Sequence, residues 1–139
     1  MQITKRDGSK QELDLNKIHA VLTWACEGAN DDALHPIKGV SISQIEMGAK
    51  LHFYDGMPTK QIHETLIKAA SELISEDFPN YDQVAARLVW FSVRKEAFRN
   101  NLPPHLYSVV QSNIKNGVYT SELLEMYTRE EFDELNAMI

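Results

Sequence analysis

A single cysteine, Cys26, is all the thiol chemistry this chain holds. No disulfide can form within one copy, and a zinc site built on four cysteines is excluded. Long apolar runs are missing too. None approaches the roughly 18 residues of a membrane-spanning helix. Residues 1–20 lack the apolar stretch and small-residue cleavage site of a secretory leader, so a cytoplasmic protein is expected. The two common glycine-built phosphate cradles, Gly-x-x-x-x-Gly-Lys and Gly-x-Gly-x-x-Gly, do not occur. Neither does the Gly-x-Ser-x-Gly elbow of many hydrolases. His19, His35, His52, His63 and His105 are scattered, with no pair at the spacing of a helical metal site. Excess positive charge is absent as well. The net charge is -6, which argues against charge-driven binding of DNA or RNA.

What remains is a chain of 139 residues, 43% apolar and 24% charged, enough for one globular domain with a real core. Against its acidic average, Lys5, Arg6, Lys10 and Lys17 all fall between Ile3 and Ile18. A local cationic cluster on an acidic body suits a small anion better than a polymer. Asp7-Gly8 favours a tight turn, because glycine accepts positive φ without a Cβ clash. The spacing predicts a β-hairpin over residues 2–13 with Gly8 at its tip.

Helix signals follow. Asp14 or Asn16 is a suitable N-cap for a first helix carrying Leu15, Ile18, Leu22 and Ala25 on one stripe, ended by Gly28. Residues 29–40 read as a long loop. Ser43 and Glu46 read as a capping box for a second helix running towards Tyr54. A third helix is expected after Pro58, capped by Thr59 and bounded by Pro79, with Ile62, Leu66, Ala69, Ala70 and Leu73 buried. A fourth runs from about Asn80 to Phe98. It is apolar on most sides (Val84, Leu88, Val89, Trp90, Phe91, Val93), so a central position is expected. Beyond Pro103-Pro104, two or three short helices are expected. Thr128 and Glu131 form a capping box for the last, with Phe132, Leu135 and Ile139 inside.

The candidate chemistry is cationic. Lys5 and Arg6 on the hairpin can meet phosphate oxygens without a glycine loop. Thr59 and His63 lie four residues apart, on one face of the third helix near its electropositive start. Lys95 lies four beyond Phe91 on the fourth, offering a cation beside an apolar or stacking wall. Each residue also has a plainer use. Lys-Arg on a hairpin is commonly solvated surface, Thr59 a cap, His63 a helix-end decoration and Phe91 core. Cys26, in a Trp-Ala-Cys-Glu run, reads as a buried structural thiol.

Five blocks taken in order carry a resemblance: TKRDGS, DLNKIHAVLTWACEG, FYDGMPTKQIHETLIKAA, NYDQVAARLVWFSVRKEAF and LLEMYTREEF. Together the chain resembles the N-terminus of the large (α) subunit of class Ia aerobic ribonucleotide reductases, of bacterial or phage type. Residues 1–98 are similar to that family's ATP-cone. Residues 99–139 resemble the helical region that precedes the catalytic barrel.

The resemblance implies an α+β, mainly α fold: a four-helix bundle capped by a small N-terminal β-hairpin or sheet, then a short helical extension. It implies an allosteric overall-activity domain of ribonucleoside-diphosphate reductase, activated by ATP and inhibited by dATP, with Mg²⁺ held through the phosphates. It implies no catalytic residue here, since the barrel and its redox cysteines lie outside the match. Implied partners are the rest of the α subunit, the radical-generating β subunit and a homo-oligomer, with no nucleic acid or membrane. By resemblance, Lys5, Arg6 and Lys95 meet the phosphates, and Thr59 and His63 touch phosphate and sugar. Ile18, Ile62, Leu66 and Phe91 line the apolar part. Asp14 and Lys17 stand near the adenine, with Ile3 behind.

Two departures bear on this. Relatives often carry Glu, with a base-recognition role, where Gln11 stands here. The 29–40 loop is longer than the enteric pattern. It joins helices whose outer surface, matched here by His19, Ser43, Glu46 and Met47, makes inhibitory subunit contacts in relatives. An alternative function is a degenerate ATP-cone that serves as a protein-interaction module without sensing nucleotide.

Overall fold

The computed structural model describes residues 1–29, 31, 33–99 and 102–139. Asn30 and Asp32 of the expected loop, and Asn100 and Asn101 before the Pro-Pro break, lie outside the described residues. The fold is mainly helical with one small sheet. The chain divides after Val93 into two compact units.

The first unit opens with β1 (Gln2–Thr4) and β2 (Lys10–Glu12), paired antiparallel so that Ile3 faces Gln11. The predicted hairpin is present. Gly8 takes φ +83 at the tip. The Asp7 carboxylate accepts from both the backbone N–H and the hydroxyl of Ser9, and these bonds lower its pKa. A third strand, β3 (Met57–Pro58), runs parallel to β1 and completes the order β2-β1-β3. Sequence reading missed it, because two residues leave no alternation to detect.

Four helices share one core. They are α1 (Leu15–Glu27), α2 (Ile42–Lys50), α3 (Thr59–Glu72) and α4 (Tyr81–Phe98), of which α4 continues past the division. Leu22, Ile45, Leu66, Leu88 and Val84 are its largest fully buried side chains, and Ile3 packs against it from the sheet. Asp14 caps α1, its carboxylate accepting from the Asn16 N–H.

The cap of α2 is Ser41, not Ser43. The Ser41 hydroxyl accepts from Gln44, and Tyr81 from α4 accepts from the Ser41 N–H while donating to the Gln44 side chain at 2.7 Å. Glu46 serves His19 of α1 instead, at 2.7 Å. Helix α2 also stops at Lys50, short of Tyr54. Helix α3 ends at Glu72, well before Pro79. Its N-cap position is Pro58, without a side-chain bond, so Thr59 is the first helical residue and not the cap. Helix α4 is one-sided rather than central: Tyr81, Val84, Leu88 and Phe91 are buried, while Val89, Trp90 and Val93 are exposed.

The second unit holds α5 (Leu106–Lys115), α6 (Glu122–Met126) and α7 (Arg129–Met138). Tyr107 and Tyr127 both meet the Phe132 ring edge-on, and Asn136 accepts from the Leu106 N–H. The Thr128–Glu131 capping box is formed. Leu135 and Ile139 are exposed rather than inside, leaving Phe132 as the buried anchor of α7.

Candidate functional site

The candidate site lies in the first unit, where the sheet meets the start of α3. Thr4 of β1 is the register partner of Pro58. The residue after Pro58 opens α3, and the residue after Thr4 is the first hairpin cation, Lys5. Sheet register thus brings the basic turn to the level at which α3 begins. The first turn of α3 has no acidic residue and no side-chain cap. The positive end of that helix is left uncompensated by its own sequence, a setting that favours an anion. Lys5 and Arg6 are exposed on the turn.

One turn into α3, His63 stands on the same face as Thr59. Its ring meets Phe91 of α4 with centroids 5.5 Å apart. Phe91 in turn meets Trp24 of α1, also at 5.5 Å. Trp24 was not among the sequence-predicted residues, and only tertiary packing reveals its contact. Ile18, Ile62 and Leu66 are buried in the shared core. Gln11 is half-buried opposite Ile3, on the same sheet face. Asp14 is engaged as the α1 cap, and Lys17 is exposed on the first turn of that helix. Lys95 lies one turn beyond Phe91 on α4, in the stretch that belongs to the second unit.

A cleft of about 300 Å³ lies elsewhere, lined by His52, Tyr54, Met57, Gln61, Glu64, Thr65 and Lys68. At 3.6 residues per turn, Gln61, Glu64, Thr65 and Lys68 occupy the face of α3 opposite Thr59 and His63. The cleft is therefore distinct from the candidate site. Among the described residues no cluster of three or more His, Cys, Asp or Glu could hold a metal, and no helix is long and apolar enough to cross a membrane.

The described part of the long loop is tied down at Ile37 and Lys38. Ile37 donates its N–H to the Cys26 carbonyl, and Asn80 donates to Lys38. Gly28, at φ +72, ends α1 with Leu34 packed against it. A Cβ there would stand 2.7 Å from the Leu34 carbonyl oxygen. Any side chain would push the loop away.

Cys26 is buried, as the sequence suggested. Burial pushes its thiol pKa from 9.0 to about 11, with the Glu27 charge adding and Arg87 opposing. A protonated, buried thiol is a poor nucleophile. The native thiol keeps its proton where the unfolded one has lost it, so this contribution is whole below pH 9 and disappears as pH rises through about 11. Urea unfolding of the parent and Cys26→Ala across that range should show a shallower alkaline decline in the variant. Parallel declines would contradict it.

Comparison with known proteins places the chain in a family. The ATP cone domain family matches residues 1–96. The chain is 47% identical over 137 residues to the ribonucleoside-diphosphate reductase 1 subunit alpha of Salmonella typhimurium and, equally, of Escherichia coli. It is 44% identical over 139 residues to the ribonucleoside-diphosphate reductase subunit alpha of Haemophilus influenzae. Each alignment covers 99% or more of this chain but 17% of the relative.

Proposed function

Because the chain belongs to the ATP cone domain family, we propose that it is the nucleotide-sensing, overall-activity module of a ribonucleoside-diphosphate reductase alpha subunit. The reading takes α1–α4 as a four-helix bundle beneath a β-sheet lid. ATP is the activating ligand and dATP the inhibiting one. No residue of this stretch is assigned a catalytic role. The remainder of the alpha subunit, the radical-generating beta subunit and a further copy of the chain are its partners.

The observation that supports this reading most is the register that pairs Thr4, just before the basic turn, with Pro58, just before the start of α3, whose first turn holds no acidic residue. A triphosphate placed there meets Lys5 and Arg6 from the hairpin and Thr59 and His63 from α3. Mg²⁺, bridging phosphate oxygens, lowers the charge those cations must balance. The ribose and base extend towards Phe91, Ile18, Ile62 and Leu66, with Ile3, Gln11, Asp14 and Lys17 at the adenine side. Lys95, one turn after Phe91 on α4, falls in the second unit and takes no part in this placement.

Calorimetry with ATP and dATP tests the reading. Saturable binding is expected, weakened by roughly 1–3 kcal/mol in Lys5→Ala and in His63→Ala, the scale of a lost charge-assisted hydrogen bond. No binding by folded protein, or unchanged affinity in both variants, would defeat it. A second reading, an interaction module blind to nucleotide, draws on Gln11, at the position where the family resemblance implies Glu. Its signature is a stable complex with a reductase subunit that ignores added ATP and dATP.

A further inference from the structure

We propose that Asp55 is a positioning residue for the nucleotide site. It acts by locking the register that carries Lys5 and Arg6 to the start of α3. The inference rests on the nucleotide-binding reading above.

A two-residue parallel strand is a weak tether. The β1–β3 ladder joins Ile3 to Met57 and Thr4 to Pro58, and β3 ends there. Slippage by one residue would turn each β1 side chain to the other sheet face and displace the hairpin tip along α3. Three further bonds, all converging on residues 55 and 56, resist this. The Asp55 carboxylate accepts from the Gln2 N–H at 2.7 Å. The Gly56 N–H donates to the Gln2 carbonyl at 2.8 Å. The Thr4 hydroxyl donates to the Gly56 carbonyl at 2.9 Å.

Asp55 and Gly56 thus grip β1 at both ends of its three residues. Of these contacts, the Asp55 bond is the one made by a carboxylate to a backbone N–H, which makes it the stronger kind. It sits at the start of β1, while the cations sit just past its other end. Its effect on phosphate is therefore geometric and not a direct charge contact. The remaining strand neighbour, β2, moves with β1 as a hairpin and offers no independent fix on α3.

Binding of ATP by Asp55→Ala, Asp55→Asn and the parent chain, at low and high NaCl, tests the assignment. Circular dichroism checks that each is folded. Asp55→Ala is expected to lower ATP affinity about tenfold. Its salt dependence should flatten, because fewer cations meet the phosphates. Asp55→Asn keeps an amide oxygen for Gln2 and should restore affinity and salt slope to near the parent values. Thr4→Val should weaken ATP binding in the same direction. Parental affinity in Asp55→Ala would overturn the role. So would a loss with unchanged salt slope, or equal losses in the Ala and Asn variants. Absence of ATP binding by the parent would remove the nucleotide reading itself, and this inference with it.

Discussion

Phe91→Ala should lower folding stability by about 3–5 kcal/mol, the range for removing a buried aromatic ring. The ring is 7% exposed and lies between Trp24 of α1 and His63 of α3. Truncation removes apolar burial and leaves both neighbours facing a void. Helix α4 cannot readily close it, because Tyr81, Val84, Ala85 and Leu88 anchor the same helix in the shared core. Two edges of aromatic packing are lost as well, each adding a fraction of the total. Phe91→Leu should recover more than half of the loss by restoring apolar volume without the ring contacts. Chemical unfolding followed by circular dichroism reads both values. A loss below about 1 kcal/mol in Phe91→Ala would mean that the ring is dispensable to the core.

Local signals in the sequence were strong where neighbours in the chain do the work. The hairpin follows from Asp7-Gly8, the α1 start from Asp14 and the α7 start from Thr128 with Glu131. The Thr59–His63 pairing on one face needed only helical spacing. Signals failed where a distant partner decides. Ser43 and Glu46 have the pattern of a capping box, but Glu46 meets His19 and Tyr81 fixes the real start at Ser41. Strand β3 is set by its parallel pairing to β1, which two residues cannot announce. Helix α4 carries apolar residues all around, yet Val89, Trp90 and Val93 are exposed, and composition alone could not choose the buried face. The Trp24–Phe91 contact and the grip of Asp55 on Gln2 join parts of the chain too far apart for any periodicity to link.

Arg87 shows the same limit most sharply, because its partners are backbone atoms. Read in sequence, it is one more charge on α4. In the fold, its guanidinium donates to the Ala25 carbonyl at 3.0 Å and to the His35 carbonyl at 2.7 Å. The last turn of a helix leaves carbonyls without helical partners and carries partial negative charge. Helix α1 has no basic residue in its own last turn. Gly28 donates to Trp24, Ile37 donates to Cys26, and Arg87 supplies the donor for Ala25. The same side chain binds the long loop to the end of α1. Arg87→Ala should therefore lose about 3 kcal/mol, from two charge-assisted bonds and the part-buried Ala25 carbonyl left without its donor. Arg87→Lys should recover less than half, since an ammonium keeps the charge but lacks the planar fork that spans two acceptors. Hydrogen exchange should localise the damage: the Ile37 amide, held by the Cys26 carbonyl, should exchange faster in Arg87→Ala. Amides in α3 should lose only the protection expected from the global drop in stability. Uniform loss across the first unit, with Ile37 no worse than α3, would show that Arg87 does not hold the loop.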